Sequence, residues 1–195
     1  MAIAKIASEE YTFLMKIIRI EATPNPTAMK LVLDEPICPG GSRQYDKAPA
    51  EQEDPLAYAL FMIPTVRSVY YMDDFISIDK PAGPDWRAME LGINQMLEEG
   101  LRPPASMMKP ESAPDVETSD EDLLDRINEV LDARVRPALA GDGGGLQIMG
   151  LRGHDLLIRY QGACGSCPSS IAGTMYAIQN LLRTELNTEI NVIAS

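Results

Sequence analysis

A proline-rich segment near the middle of this 195-residue chain divides it into two parts. The segment spans residues 101–119 and contains four prolines, which fix the backbone and remove amide donors, so it cannot form a continuous helix. Its polar and acidic residues offer little apolar surface to bury, as is typical of linkers. The sequence therefore predicts two small domains, over residues 15–100 and 120–195, with residues 1–14 as a loose N-terminal tail.

The first part alternates segments with strand-like and helix-like patterns. Proline at position 55 suits the first position of a helix, and apolar residues then recur at helical spacing. Runs rich in β-branched and aromatic residues predict strands, two of which flank a short turn. We therefore predict a small α+β domain. Its predicted elements are strands Lys16–Ile20, Met29–Leu33, Val66–Tyr71 and Phe75–Ile78, a helix from Asp54-Pro55, and a helix from Asp85 to about Glu99.

The second part predicts another α+β unit of similar size. Ser119 is the predicted N-cap of a first helix whose opening turn is acidic, and this helix ends or kinks at Arg136, before Pro137. The glycine run at 141–145 then predicts a helix end and a tight turn. The remaining predicted elements are the hairpin strands Leu146–Met149 and Leu156–Tyr160, a helix from Pro168 to about Leu186, and a last strand, Ile190–Ile193.

Charge and composition exclude several functional classes. The net charge of −12 and a pI near 4.5 oppose binding to phosphate backbones and to anionic membrane surfaces. The chain also lacks an apolar run long enough to span a bilayer. Three cysteines, an odd number, favour a reducing compartment, and we expect a cytoplasmic protein. Because no carboxylate pair, nucleophile–base pair or cofactor loop stands out, we predict that the protein is not an enzyme.

The C-x-x-C pair formed by Cys164 and Cys167 is the strongest chemical feature of the sequence. It comes directly before a predicted helix, whose first amides favour the thiolate form and so favour both metal binding and disulfide exchange. A zinc site within one chain needs four ligands, and the other soft candidates are only Cys38 and His154. A redox pair is possible, and so is a half-site in which two chains supply four thiolates to a [4Fe–4S] cluster. The ligand count favours sharing.

Both parts of the sequence resemble proteins of the Nfu/NifU family. In the second part the resemblance is carried by ARVRPALAGDGGGLQIMGL and by LLIRYQGACGSCPSSIAGTMYAIQNLLR, which contains the highly specific run G-A-C-x-x-C-P-S-S. In the first part it is carried by EATPNPTAMKLVL and PLAYALFMIPTVRSVYYMDDFISIDK, which resemble the N-terminal domain that precedes Nfu in part of the family. The resemblance extends over nearly all of the chain from about Met15, apart from the linker and residues 36–53.

The resemblance implies an iron–sulfur cluster scaffold or carrier. It implies a labile [4Fe–4S] cluster held by Cys164 and Cys167 of two chains, which form a homodimer when the cluster is bound. The implied partners are upstream cluster assembly proteins and apo iron–sulfur proteins, to which the cluster passes. Two alternatives come from the residues alone: a thiol–disulfide oxidoreductase that uses the same cysteine pair, and an interaction module in which two chains share a structural zinc ion.

Overall fold

The computed structural model describes residues 15–81, 86–104, 117–118, 120–166 and 168–194. Within these residues the chain forms two α+β domains, each with its own sheet and hydrophobic core, which confirms the predicted fold class. The predicted tail and most of the predicted linker lie outside the described residues. In the part of the chain that the structure describes, no helix is both long and apolar enough to cross a bilayer.

The first domain is built on an antiparallel sheet, which has five strands in the described residues. Its elements in chain order are β1 (Ile17–Ala22), β2 (Ala28–Leu33), β3 (Cys38–Tyr45), α1 (Pro55–Phe61), β4 (Ser68–Asp73), β5 (Phe75–Asp79) and α2 (Trp86–Glu98). The strand order is β1-β2-β5-β4-β3, so that β5 lies at the centre of the sheet. Both helices share one core with the sheet, to which they contribute Leu56, Leu60, Met89, Ile93 and Leu97.

Both faces of the first sheet are buried. Successive side chains of a strand point to opposite faces, and in β5 Ile76 and Ile78 belong to the core beneath the helices. Ser77, between them, faces the second domain and is only 2% exposed. In β4 Tyr71 lies in the core, whereas the adjacent Tyr70 lies against glycines of the second domain. The sheet is therefore a layer between its own helices and the second domain.

The second domain places helices against a mixed sheet that has four strands in the described part of the chain. Its elements are β6 (Glu117–Thr118), α3 (Glu121–Arg134), α4 (Arg136–Gly141), β7 (Gly144–Arg152), β8 (Asp155–Gly162), α5 (Pro168–Leu186) and β9 (Asn191–Ala194). β7 and β8 form an antiparallel hairpin, and the outer strands β6 and β9 each run parallel to their neighbour. The hairpin forms the two inner strands of the sheet, and the cysteine motif follows its second strand.

Most predicted elements are present, and so is the predicted break before Pro137. α3 ends at Arg134 and α4 begins at Arg136, as the proline at position 137 predicts. Ser119, the predicted N-cap, lies outside the described residues; the Asp120 side chain caps α3 by accepting a 2.9 Å hydrogen bond from the Leu123 amide. The prediction lacked β3 and also β6, which lies inside the predicted linker and pairs with β7, and it gave no indication that the two domains pack together.

Candidate functional site

Cys164 lies on the short loop that connects β8 to α5. Its side chain packs into the core of the second domain, and the residue is only 9% exposed, whereas the next two residues, Gly165 and Ser166, are exposed. α5 begins at Pro168, so the loop lies at the N-terminal end of a 19-residue helix. Cys167, the second predicted ligand, lies outside the described residues. The structure therefore places one motif cysteine, with its thiol turned inward.

Glycines allow the closest approaches around this loop. A Cβ atom on Gly144 would lie 2.6 Å from the Cys164 Sγ and 2.7 Å from the Gln161 carbonyl oxygen. Gly162 has a positive φ of 60°, and Gly143 has a positive φ of 78°. The glycine run thus does more than form the turn that the sequence predicts, because Gly144 also leaves space for the cysteine sulfur.

Asn25 of the first domain binds this loop on both sides of Cys164. Its Nδ2 atom donates hydrogen bonds to the Ala163 carbonyl oxygen at 3.0 Å and to the Ser166 Oγ at 2.7 Å. Its Oδ1 atom accepts from the amide and the hydroxyl of Thr27, at 3.0 and 2.8 Å, which fixes the amide orientation. Asn25 is 4% exposed. The first domain therefore contributes a buried, fully oriented amide to the cysteine loop.

Further polar contacts join the first domain to the same region. The Gln44 Oε1 accepts a 2.9 Å hydrogen bond from the Gly162 amide, and the Ser77 hydroxyl donates to the Gly143 carbonyl oxygen. The Lys30 Nζ lies 3.5 Å from the Gly141 carbonyl oxygen, at the C-terminal end of α4. These contacts lie on β2, β3 and β5, so a wide part of the open sheet face is engaged.

Two buried tyrosines near the cysteine loop have phenol groups whose pKa values are raised. Burial raises the pKa of Tyr160 to about 12, and the Cys164 sulfur contributes in the same direction. Burial likewise raises the pKa of Tyr70 to about 12, with smaller contributions that include Cys38 and Cys164. The Tyr160 hydroxyl is buried and has no hydrogen-bond partner among the described residues. A phenol that keeps its proton at neutral pH is a potential donor to an anion near Cys164.

The other soft ligands considered from the sequence do not complete a site around Cys164. Cys38 is 2% exposed in the core of the first domain. His154 is exposed in the β7–β8 turn, at the opposite end of the hairpin from the Gly144–Gly162 pair. Among the described residues there is no group of three or more His, Cys, Asp or Glu that could hold a metal ion. In this structure Cys164 has no complete ligand set around it within the described part of one chain.

The sequence did not identify the residues of the first domain that contact the loop. Asn25, Gln44 and Ser77 resemble ordinary turn and strand residues when they are considered one at a time. A signal was present in SVYYMD, where Tyr70 places a large aromatic group on the face opposite Val69 and Tyr71. Apolar groups on both faces of a strand indicate that both faces are buried.

The fold and the site together define a two-domain α+β protein whose second domain carries a C-x-x-C loop directly before a long helix. The family model for the "Scaffold protein Nfu/NifU N terminal" domain matches residues 18–103, and the model for the "NifU-like domain" matches residues 127–193. Together these matches span most of the chain in the order expected for the family. The chain belongs to the Nfu/NifU family.

Individual relatives match the chain over most of its length. The chain is 30% identical over 171 residues to a protein of Drosophila ananassae named "NFU1 iron-sulfur cluster scaffold homolog, mitochondrial", a match that covers 85% of this chain and 59% of the relative. The protein of the same name from Drosophila sechellia is 29% identical, with 85% and 60% covered. The chain thus spans about three fifths of the length of these curated relatives.

Solved structures also show similarity to this chain. A crystal structure of protein SAV1430 from Staphylococcus aureus is 29% identical, with a TM-score of 0.36, and covers 42% of this chain and 96% of that protein. A solution structure of a NifU-like protein from Saccharomyces cerevisiae is 23% identical, with a TM-score of 0.37, and covers 57% of this chain and 94% of that protein.

Proposed function

We propose that this protein is a non-catalytic iron–sulfur cluster scaffold that carries a [4Fe–4S] cluster and passes it to apo-proteins. The observation that carries the proposal is the combination of both family domains in one chain with a C-x-x-C loop at the N-terminal end of α5. The relatives named as iron–sulfur cluster scaffolds support it. In this proposal Cys164 and Cys167 of two chains supply the four thiolate ligands of one shared cluster.

The surroundings of Cys164 are compatible with a cluster as cargo. Thiolates are the ligands that iron–sulfur clusters require, and the amides at the start of α5 favour a negatively charged sulfur. The unpartnered Tyr160 hydroxyl adds a donor near the loop. Because one chain contributes only two motif cysteines, a homodimer completes a ligand set of four with a single symmetric interface.

Transfer then requires only ligand exchange. A thiol of the recipient loses its proton as its sulfur binds an iron of the cluster, and one carrier thiolate leaves that iron and takes up a proton. One iron–sulfur bond forms for each one that breaks, and the oxidation state of the cluster does not change. Four such exchanges move the cluster from the carrier dimer to an apo iron–sulfur protein. Upstream assembly proteins load the carrier by the reverse exchange.

The cellular location is a separate proposal. We propose a cytoplasmic protein, on the basis of the cysteine content and of the reducing conditions that thiolate ligands need. The names of the relatives assign those proteins to mitochondria. Imaging or fractionation of the tagged full-length chain in its own organism tests the proposal, and recovery in an organelle fraction would contradict it.

The first experiment measures the cluster directly. The full-length chain is purified or reconstituted without oxygen, and iron, sulfide and native mass are determined for the wild type, Cys164→Ser and Cys38→Ala. We expect about four iron and four sulfide per dimer for the wild type and for Cys38→Ala, because thiolates of the motif hold the cluster. Cys164→Ser should lose the cluster and remain monomeric. Cys38→Ala is the matched control, since Cys38 is a buried cysteine outside the motif.

Two results would overturn the proposal. A colourless monomer that resists reconstitution and reduces insulin disulfides would identify a thiol–disulfide oxidoreductase. A colourless dimer that contains about one tightly bound zinc per pair of chains would identify a structural zinc module.

A further inference from the structure

The thiol of Cys164 is turned into the interior of its own domain. Its sulfur lies beside Gly144 and belongs to the core of the second domain. A cavity of about 230 Å³ borders the residue, and its walls include Pro24 and Asn25 of the first domain together with Gly173 of α5. Presentation of this sulfur to a shared cluster therefore requires the loop to move outward.

Asn25 opposes that movement. Its two hydrogen bonds go to Ala163, the residue before Cys164, and to Ser166, two residues after it. An outward movement of the loop at either of these two residues breaks one of the two bonds. Gln44 adds a bond to the Gly162 amide at the end of β8, where the loop begins. We call Asn25 and Gln44, with the bonds they make, the latch.

We propose that the latch of the docked first domain holds the cysteine loop closed, with the thiol inward, until a cluster or a partner displaces it. The proposal rests on the cluster-carrier function proposed above. In the closed form the first domain occupies the same loop that a second chain must reach to share a cluster. Docking within one chain and cluster sharing between two chains therefore compete for the cysteine loop.

Competition of this kind has a functional consequence. An apo carrier with exposed thiolates is liable to oxidation and to adventitious metal binding, and burial of the Cys164 sulfur limits both. Opening breaks the latch hydrogen bonds and removes the Cys164 side chain from the core of the second domain, so the closed form is favoured while no cluster is bound. A bound cluster, whose ligand bonds are much stronger, can hold the loop open.

The latch is tested by Asn25→Asp in the full-length apo-protein. Aspartate keeps an oxygen to accept the two Thr27 hydrogen bonds, but it replaces the donor that faces the Ala163 carbonyl with a second acceptor. Iodoacetamide labelling is followed at each cysteine by mass spectrometry. We expect Cys164 to be labelled about tenfold faster than in the wild type. Reconstitution with iron and sulfide should also be faster in this variant.

Two further variants separate latch release from general damage. Gln44→Ala removes the independent bond to the Gly162 amide and should accelerate Cys164 labelling about fivefold. Gln95→Ala is the matched control, because it removes a glutamine of α2 whose 2.9 Å bond goes to Glu99, the residue that follows the helix. It should label at the wild-type rate. Cys38, buried in the core of the first domain, reports unfolding and should stay slow in every variant.

The possible outcomes are distinct. Wild-type labelling rates at Cys164 in both latch variants would overturn the proposal, and so would an equal acceleration at Cys38, since that pattern means unfolding. Faster labelling at Cys164 alone supports the latch. The labelling experiment needs no cluster, so faster labelling together with failure of every chain to take up iron and sulfide would refute the carrier function while the latch stands.

Discussion

At the scale of single residues, Gly144 is constrained by what approaches it rather than by its own backbone. The φ of Gly144 does not lie in the positive range that favours glycine, so an alanine can adopt the same conformation. A Cβ atom there would nevertheless lie 2.6 Å from the Cys164 sulfur and 2.7 Å from the Gln161 carbonyl oxygen. Backbone oxygen cannot move aside without disturbing the β7–β8 pairing. Space, not torsion, makes glycine necessary at this position.

Gly144→Ala should therefore destabilise the protein, by about 1–3 kcal/mol, as is typical when a well-packed site is overfilled. Gly92→Ala is the matched control, because Gly92 lies inside α2 and has nothing within 4 Å of its Cβ position. Removal of glycine from a helix interior should stabilise the protein by about 0.5–1 kcal/mol. Urea unfolding followed by circular dichroism measures both changes. Equal effects of the two substitutions would contradict the steric argument.

At the scale of elements, α1 depends on one buried carboxylate. The Asp54 side chain accepts hydrogen bonds from the Ala57 amide and from the Tyr45 hydroxyl, both at 2.9 Å. It thereby caps the helix and ties β3 to it. Burial raises the pKa of Asp54 above its ordinary value of 3.8, although both hydrogen bonds act in the opposite direction. The cap is therefore formed at a cost in charge burial.

This cost predicts a pH dependence. Between the ordinary pKa and the raised pKa, the folded protein keeps a proton that the unfolded chain has lost, so the free energy of unfolding falls as pH rises through this range. Asp54→Asn should remove that component, because asparagine can cap the helix without a charge. Asp54→Ala should lose the same pH-dependent component, and its free energy of unfolding should lie about 1 kcal/mol below that of Asp54→Asn at every pH, because alanine cannot cap the helix. Urea unfolding of the three proteins at a series of pH values from 3 upward measures these differences. Parallel plots of the free energy of unfolding against pH for the wild type and Asp54→Asn would refute the argument.

The same scale shows what sequence patterns can and cannot predict. Helices α2 and α5 and the β7–β8 hairpin were predictable because their apolar residues repeat at the period of the element. β3 was not, since it begins Cys-Pro-Gly-Gly and its pairing with β4 is irregular between Cys38 and Ser42. An edge strand tolerates proline and glycine because only one side must be paired, so its sequence carries little strand signal.

At the scale of the whole molecule, the main feature is that the first sheet is covered on both faces. Its helices cover one face, and the glycines and cysteine loop of the second domain cover the other. The cysteine motif itself was predictable because its chemistry is local to four residues. The residues that hold the loop were not, since Asn25 and Ala163 are separated by 138 positions and nothing in the sequence around either one indicates that they are in contact.

Tyr70 provides the most direct measure of the coupling between the domains. It belongs to β4 of the first domain, is 1% exposed, and lies against Gly145 and Gly162 of the second domain. Tyr70→Ala removes a buried side chain worth about 1.5–3 kcal/mol from this contact. We expect amide hydrogen exchange to accelerate about tenfold or more in peptides that span residues 143–147 and 160–166, although the substitution is in the other domain.

The control for this prediction is Tyr176→Ala, which removes a tyrosine that is 65% exposed on α5 of the second domain itself. It should leave exchange at residues 143–147 unchanged, and Tyr70→Ala should leave exchange in β9 unchanged. Acceleration across the whole second domain would mean that Tyr70→Ala lowers global stability. Unchanged exchange near the glycines would mean that the domains do not stay docked in solution, and the cysteine loop would then be free of the latch.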